Sequence, residues 1–172
     1  MQFKKLYQNS VFWFCCTFFW CVIIFFFSAQ DATASTAMSD GVLHKIAEIC
    51  TAWIPADETK INNRESYSSM TFFIRKIAHF TLYFILGLFS SATILSFSTK
   101  HHRSLFASWL TAWSFCIFYA ATDEFHQLFV PGRTGMLLDI GIDSLGALLS
   151  SLLLLFLIQR SIHRNQKLEN GV

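Results

Sequence analysis

The chain has 172 residues, of which 53% are hydrophobic and 17% aromatic, and only 14% are charged. That balance excludes an ordinary soluble domain and fits a single domain, residues 1–172, of packed transmembrane helices. A net charge of +2, scattered along the chain, leaves no footprint for nucleic acid.

A spanning helix needs roughly 20 mostly apolar residues, and four segments qualify. The first, residues 11–28, is uncharged. Lys4-Lys5 before it and Ala32-Thr33-Ala34 after it resemble a cleavable signal peptide. The apolar run is longer and more aromatic than a signal core of roughly 7–15 residues, so it reads as a retained span. It holds Cys15, Cys16 and Cys21; Cys50 and Cys116 lie further on, and none forms a CxxC pair. Buried, unbonded thiols are therefore expected rather than a metal or disulfide framework. In the loop that follows, Leu43, Ile46, Ala47, Cys50, Trp53 and Ile54 recur at helical spacing, with Asp40 as a cap and Pro55 as a stop. This predicts one short amphipathic helix lying on the outer membrane face, with Trp53 at headgroup depth. The second span, residues 72–97, carries Arg75, Lys76 and His79 in its first turns. The third, residues 105–122, runs straight into Asp123-Glu124, and the fourth, residues 137–158, has Asp139 and Asp143 near its start. The predicted fold is all-α, an integral membrane bundle of four transmembrane helices.

Loop charges predict the orientation. Lys4, Lys5, Lys100, Arg103, Arg160, Arg164 and Lys167 fall on one side, against the single acid Glu169. The other side is acidic: Asp31, Asp40, Glu48, Asp57, Glu58 and Glu65, with only Lys45, Lys60 and Arg64. The positive-inside rule then places both termini in the cytoplasm. Every charged intramembrane residue thereby falls near the same outer level. Such residues are costly in a bilayer, roughly 2.5–3.5 kcal/mol each on insertion scales, and usually functional.

Spacing sharpens that convergence. Arg75, His79 and Tyr83 form one helical stripe, as do Asp123 and Gln127, and Asp139 and Asp143. Gly146 and Ser150 extend the last of these faces with small side chains suited to close packing. Arg133, in the turn between spans three and four, is expected to fold back over the carboxylates. Arg75, Lys76 and Arg133 suit an anionic headgroup, and His79 suits proton transfer near neutral pH. An enzyme built here would use His79 with Asp123 or Glu124 as acid and base, and Arg75, Lys76, Tyr83, Gln127, Arg133, Asp139 and Asp143 to hold the ligand. His79, Asp123, Glu124 and His126 could ligate zinc in principle. No HExxH or comparable spacing occurs, so neither metal nor cofactor is expected. The competing explanation is a self-neutralising salt-bridge network fastening three helices, although polar pairs in membranes average only about 0.6 kcal/mol.

Two blocks of this sequence resemble the VanZ-like membrane proteins. The first is Arg75-Lys76-Ile77-Ala78-His79 with Tyr83, Leu86 and Gly87. The second is Asp123-Glu124-Phe125-His126-Gln127-Leu128-Phe129, then Pro131-Gly132-Arg133, Asp139 and Gly146. Phe27-Ser28-Ala29-Gln30 also fits, whereas Asp143 stands where many members are expected to carry Asn. The resemblance spans nearly the whole chain. It implies a multi-pass protein of the bacterial inner membrane, a role in the cell envelope, and a link to resistance against teicoplanin-type glycopeptides.

The leading reading is an outer-leaflet polar pocket that binds an amphiphile with an anionic or polar headgroup. Candidate partners are membrane lipids, a lipid-linked envelope precursor or a lipoglycopeptide. Catalysis, like oligomeric state, is left open by the sequence. The alternative is a non-catalytic interaction or assembly protein whose charges are structural. A transporter fits less well, because no repeat is visible and the charges crowd one level rather than the midplane.

Overall fold

The computed structural model describes residues 9–53, 64–98 and 104–169, which form five helices. These are α1 (Ser10–Ser28), α2 (Ala32–Trp53), α3 (Arg64–Ser98), α4 (Leu105–Gln127) and α5 (Leu137–Glu169). Four segments are long and apolar enough to cross a membrane: Ser10–Ser28, Ser69–Ser98, Leu105–Gln127 and Leu137–Ser161. The protein is thus an all-helical, multi-pass membrane protein. Lys4, Lys5, Ile54, Pro55, Asp57, Glu58, Lys60, Lys100, His101, His102 and Arg103 lie outside the described residues.

Side-chain caps set the helix starts. Asn9 accepts the Phe12 N–H at 3.2 Å, and Ser104 accepts that of Ala107 at 3.1 Å. The helix of the second span begins before residue 72, at Arg64, and that of the fourth runs past residue 158 to Glu169; two further boundaries bear on the site. The third span does not stop at Thr122: α4 continues to Gln127, so Asp123 and Glu124 are helical and buried. The amphipathic helix does not begin at Asp40. It starts at Ala32, because Asp31 accepts the Ala34 N–H at 2.8 Å and the Thr33 hydroxyl at 2.6 Å. These bonds, the Ala34 N–H first, hold the Asp31 carboxyl below its ordinary value of 3.8. The cap is therefore present at neutral pH and is lost only as pH falls through that lowered value. The buried face of α2 is Ser35, Ser39 and Leu43; the side chains of Ile46, Ala47, Cys50 and Trp53 lie outside those described.

Packing is inverted relative to a soluble core. Phe12, Phe18, Phe19 and Phe26 of α1 and Phe106 and Phe118 of α4 are exposed, where lipid would solvate them. Small and hydroxylated residues point inward: Ser90, Ser91 and Ser96 of α3, Ser108 of α4, Ser150 and Ser151 of α5. Lipid tails are as apolar as Leu, so helices gain from close backbone approach and interhelical hydrogen bonds rather than from burying large side chains. Thr17 meets Thr93 at 2.9 Å, Trp20 donates to the Leu82 carbonyl at 2.8 Å, and Tyr119 donates to the Cys21 carbonyl at 2.6 Å. Those bonds stitch α1 to α3 and α4. Trp109 donates to Ser151 at 3.0 Å and Trp113 to the Ser144 carbonyl at 3.1 Å, joining α4 to α5. Cys15, Cys16, Cys21 and Cys116 are free, as expected, but only Cys116 is buried; Cys16 and Cys21 are half-buried and Cys15 is exposed.

The tightest seam runs between α3 and α5. A Cβ on Gly146 would lie 2.5 Å from the Phe80 carbonyl oxygen, and one on Gly87 would lie 2.8 Å from Ala147 backbone atoms. Neither neighbour can yield without moving a helix. Gly146→Ala is expected to lower stability by about 1–3 kcal/mol, read as a fall in the thermal midpoint in detergent. Gly141→Ala is the control. A Cβ there meets nothing within 4 Å, and loss of a helical glycine should stabilise by roughly 0.5–1 kcal/mol. Equal midpoints for the two variants would contradict the seam.

Candidate functional site

The parallel run of α3 and α5 creates the site. Lys76 pairs with Asp139 and, one turn further along both helices, His79 Nδ1 lies 3.5 Å from Asp143 Oδ1. The spacings 76 to 79 and 139 to 143 are each about one helical turn, so two helices starting at the same end of the bundle present these groups at matching levels. The end of antiparallel α4 delivers Glu124 to the same place: His79, Glu124 and Asp143 each offer a ligand-type atom within 4.8 Å of the others.

Each member has a distinct environment. Lys76 and Asp139 are buried, and the Lys76 ammonium also sits 4.8 Å from the centre of the Phe72 ring. Glu124 is held from two sides: Oε2 accepts the Met136 N–H at 2.8 Å and Oε1 accepts from the Gln127 amide at 3.3 Å. The turn after α4 makes the first bond possible. Gly132 has φ of 72°, a left-handed conformation, and a Cβ on Gly135 would meet the Glu124 carbonyl oxygen at 2.6 Å. Asp143 is fully buried with both carboxylate oxygens lacking a hydrogen-bond partner, and the buried Tyr83 hydroxyl lacks one too.

The remaining charges face a separate space. A cavity of about 450 Å³ opens between α1, α2, α3 and α4. Its walls are mainly apolar: Trp20, Ile24, Phe27, Met38, Val42, Ile74, Leu82 and Ile85. Its polar residues are Ser28, Ser35, Ser39, Arg75, Thr81, His79, Tyr83, Asp123 and Arg133. Arg75 turns toward α2, with Nη2 3.5 Å from Thr36 Oγ1. Asp123 lies beside Ser28 and Gln127.

Arg133 departs from expectation. It does not fold over the carboxylates. Among the described residues its hydrogen bonds run to the Gln30 carbonyl at 3.1 Å and the Phe27 carbonyl at 3.5 Å. A cation at those carbonyls complements the negative end of α1 and supplies donors that the ending helix lacks. Burial and the nearby Arg75 charge press its guanidinium below the usual arginine value, and the Asp123, Glu124 and Asp139 carboxylates oppose them.

The structure therefore sorts the expected single cluster into three parts. Lys76 and Asp139 form a closed ion pair. His79, Glu124 and Asp143 form a triad with both carboxylates buried and the imidazole half-buried, supported by Gln127 and neighboured by Tyr83. Arg75, Asp123 and Arg133 line the cavity, and His79 borders both spaces. His126 belongs to neither and packs against Phe25, with ring centres 4.9 Å apart. The cavity walls from α1 and α2 and the Met136 N–H were not identified from sequence. A backbone donor leaves no residue-type signal. The Ser35–Ser39 repeat on α2 was the readable hint.

A family model described as VanZ/LLP1 matches residues 12–159, nearly the whole chain. No curated protein and no solved structure matches it. The matched stretch contains all four membrane-crossing segments but for Ser10, Val11 and the last two residues of the fourth, together with both sequence blocks that build the site. The chain belongs to the VanZ/LLP1 family.

Proposed function

We propose that the cavity holds an amphiphile with an anionic headgroup in the outer leaflet of a bacterial cytoplasmic membrane, and that this underlies an envelope role linked to glycopeptide resistance. One observation carries the reading: a largely apolar cavity of about 450 Å³ with Arg75, Arg133 and His79 among its lining residues. That volume lies in the range of roughly 300–1,000 Å³ usual for small-molecule sites. Apolar walls suit a chain, and guanidinium forks suit phosphate or carboxylate. Lipid-linked envelope precursors, phospholipids and lipoglycopeptides share that chemistry. The outer-leaflet assignment rests on the basic flank at the far end of α5, Arg160, Arg164 and Lys167, with the cytoplasmic side there. If the ligand is also transformed, His79 and Asp123 line the cavity and can move a proton at its headgroup.

The scaffold reading fits Lys76–Asp139, which is sealed, but not Arg75 and Asp123, which line open space. Photoactivatable lipid in nanodiscs separates the two. Anionic phospholipid is expected to label wild-type protein at Met38 or Ile74 more strongly than its zwitterionic analogue. Arg75→Gln is expected to weaken that labelling roughly 10- to 150-fold, the equivalent of one hydrogen bond to a charged group at about 1.5–3 kcal/mol. A reporter fused after Arg64 is expected to read outside. Labelling indifferent to headgroup charge and to Arg75 would overturn the binding reading, and a cytoplasmic reporter would overturn the leaflet.

A further inference from the structure

We infer that His79, Glu124 and Asp143 form a binding site for one divalent transition-metal cation of the Zn²⁺ or Mn²⁺ class. Their ligand atoms all lie within 4.8 Å of one another. The His79 Nδ1 to Asp143 Oδ1 separation is 3.5 Å, beyond the usual N–H···O range of about 2.7–3.2 Å, and neither atom has a hydrogen-bond partner. That separation matches instead two ligands of one ion, since bonds of about 2.0–2.2 Å at a tetrahedral angle set ligands roughly 3.4 Å apart.

A second observation points to the same ion. Asp143 is 0% exposed, and both its oxygens lack a hydrogen-bond partner, as does His79 Nδ1. Buried polar groups are nearly always satisfied, so a fully buried carboxylate without donors implies a missing partner. No lysine or arginine among the described residues forms an ion pair within 4.0 Å of Glu124 or Asp143, because Lys76 is already committed to Asp139. A neutral imidazole and two carboxylates carry a charge that a divalent cation cancels.

The donor set selects the class. One nitrogen and two carboxylates suit a borderline cation such as Zn²⁺ or a harder one such as Mn²⁺ rather than a thiolate-seeking one. Glu124 is already oriented by the Gln127 amide and the Met136 N–H, the kind of outer support that fixes metal ligands. Three protein ligands leave a coordination position open, as in catalytic rather than structural zinc sites. His79 also lines the cavity, so the triad adjoins that space through this one residue. The site does not depend on the amphiphile reading, and metal binding can be measured without any lipid ligand.

The test uses full-length protein in detergent, with no histidine tag, stripped by chelator and reloaded with Zn²⁺ or Mn²⁺. Metal analysis after desalting is expected to return about one ion per chain. Reloading is also expected to raise the thermal midpoint, as a ligand of the folded state must. His79→Ala, Glu124→Gln and Asp143→Asn are each expected to cut bound metal at least tenfold, in line with loss of a ligand. His126→Ala is expected to retain full loading, which sets this triad apart from the zinc set conceivable from sequence. If Asp143→Asn fails to accumulate, wild-type loading and Glu124→Gln decide the matter. Wild-type protein that takes up no metal and shows no thermal shift overturns the site. So does metal that survives all three substitutions.

Discussion

Lys76→Met is expected to destabilise the bundle by about 3–5 kcal/mol, because it strands the buried Asp139 carboxylate. The ion pair joins α3 to α5 just above their glycine seam, so its loss should loosen the packing that aligns His79 with Asp143. Replacing both partners, Lys76→Met with Asp139→Leu, is expected to recover most of the loss. A buried ion pair owes its fragility to the cost of an unpaired charge more than to the worth of the pair itself. Thermal or denaturant unfolding in detergent supplies the three midpoints, and the double-mutant cycle isolates the coupling. A single-substitution cost below about 1 kcal/mol, the range of exposed pairs, would show that Lys76 reaches water and that the pair is not sealed.

That pair illustrates what the sequence could and could not convey. Charges inside apolar segments announced a site, because few other reasons put Arg75, Lys76, Asp123, Glu124, Asp139 and Asp143 at one membrane level. Four-residue spacing assigned the faces of α3 and α5, and Gly146 and Ser150 marked the seam where those helices touch. Partner choice was not legible. Whether Lys76 meets Asp139, Glu124 or a ligand depends on helix rotation and depth, which side-chain packing decides and composition does not. Arg133 shows the same limit. From sequence, a turn arginine beside four carboxylates should seek them, yet the carbonyls of Gln30 and Phe27 lie closer once α1 ends beside that turn. Helix ends were misjudged for a related reason. Asp123-Glu124 looks like a stop for a span, but both side chains are buried, Glu124 beside His79 and Asp143 and Asp123 against the cavity, so the helix continues for another turn. The start of α2 turned on a single cap, Asp31 in place of Asp40, and both were equally acceptable on residue type.

The largest functional effect is expected at Glu124. Its Oε2 accepts the Met136 N–H and its Oε1 accepts from the Gln127 amide. In Glu124→Gln the amide oxygen can keep the Met136 bond. The new NH₂ group then faces Gln127, whose amide can flip to present its oxygen. Both contacts survive, so the stability cost is expected to stay below about 1.5 kcal/mol, the worth of one hydrogen bond. The negative charge is nevertheless gone, and with it a metal ligand or proton acceptor beside His79. In a glycopeptide-susceptible host, expression of the wild-type chain is expected to raise teicoplanin tolerance. Glu124→Gln is expected to return tolerance to the host's own level while membrane abundance and thermal midpoint stay near wild type. His79→Ala is expected to lose tolerance too, with a larger drop in midpoint because it also removes the neighbour of the buried Asp143. The contrast separates chemistry from scaffolding, since a salt-bridge network would make tolerance, abundance and midpoint fall together in both variants. A Glu124→Gln protein that accumulates normally and still confers full tolerance would remove this carboxylate from the working site.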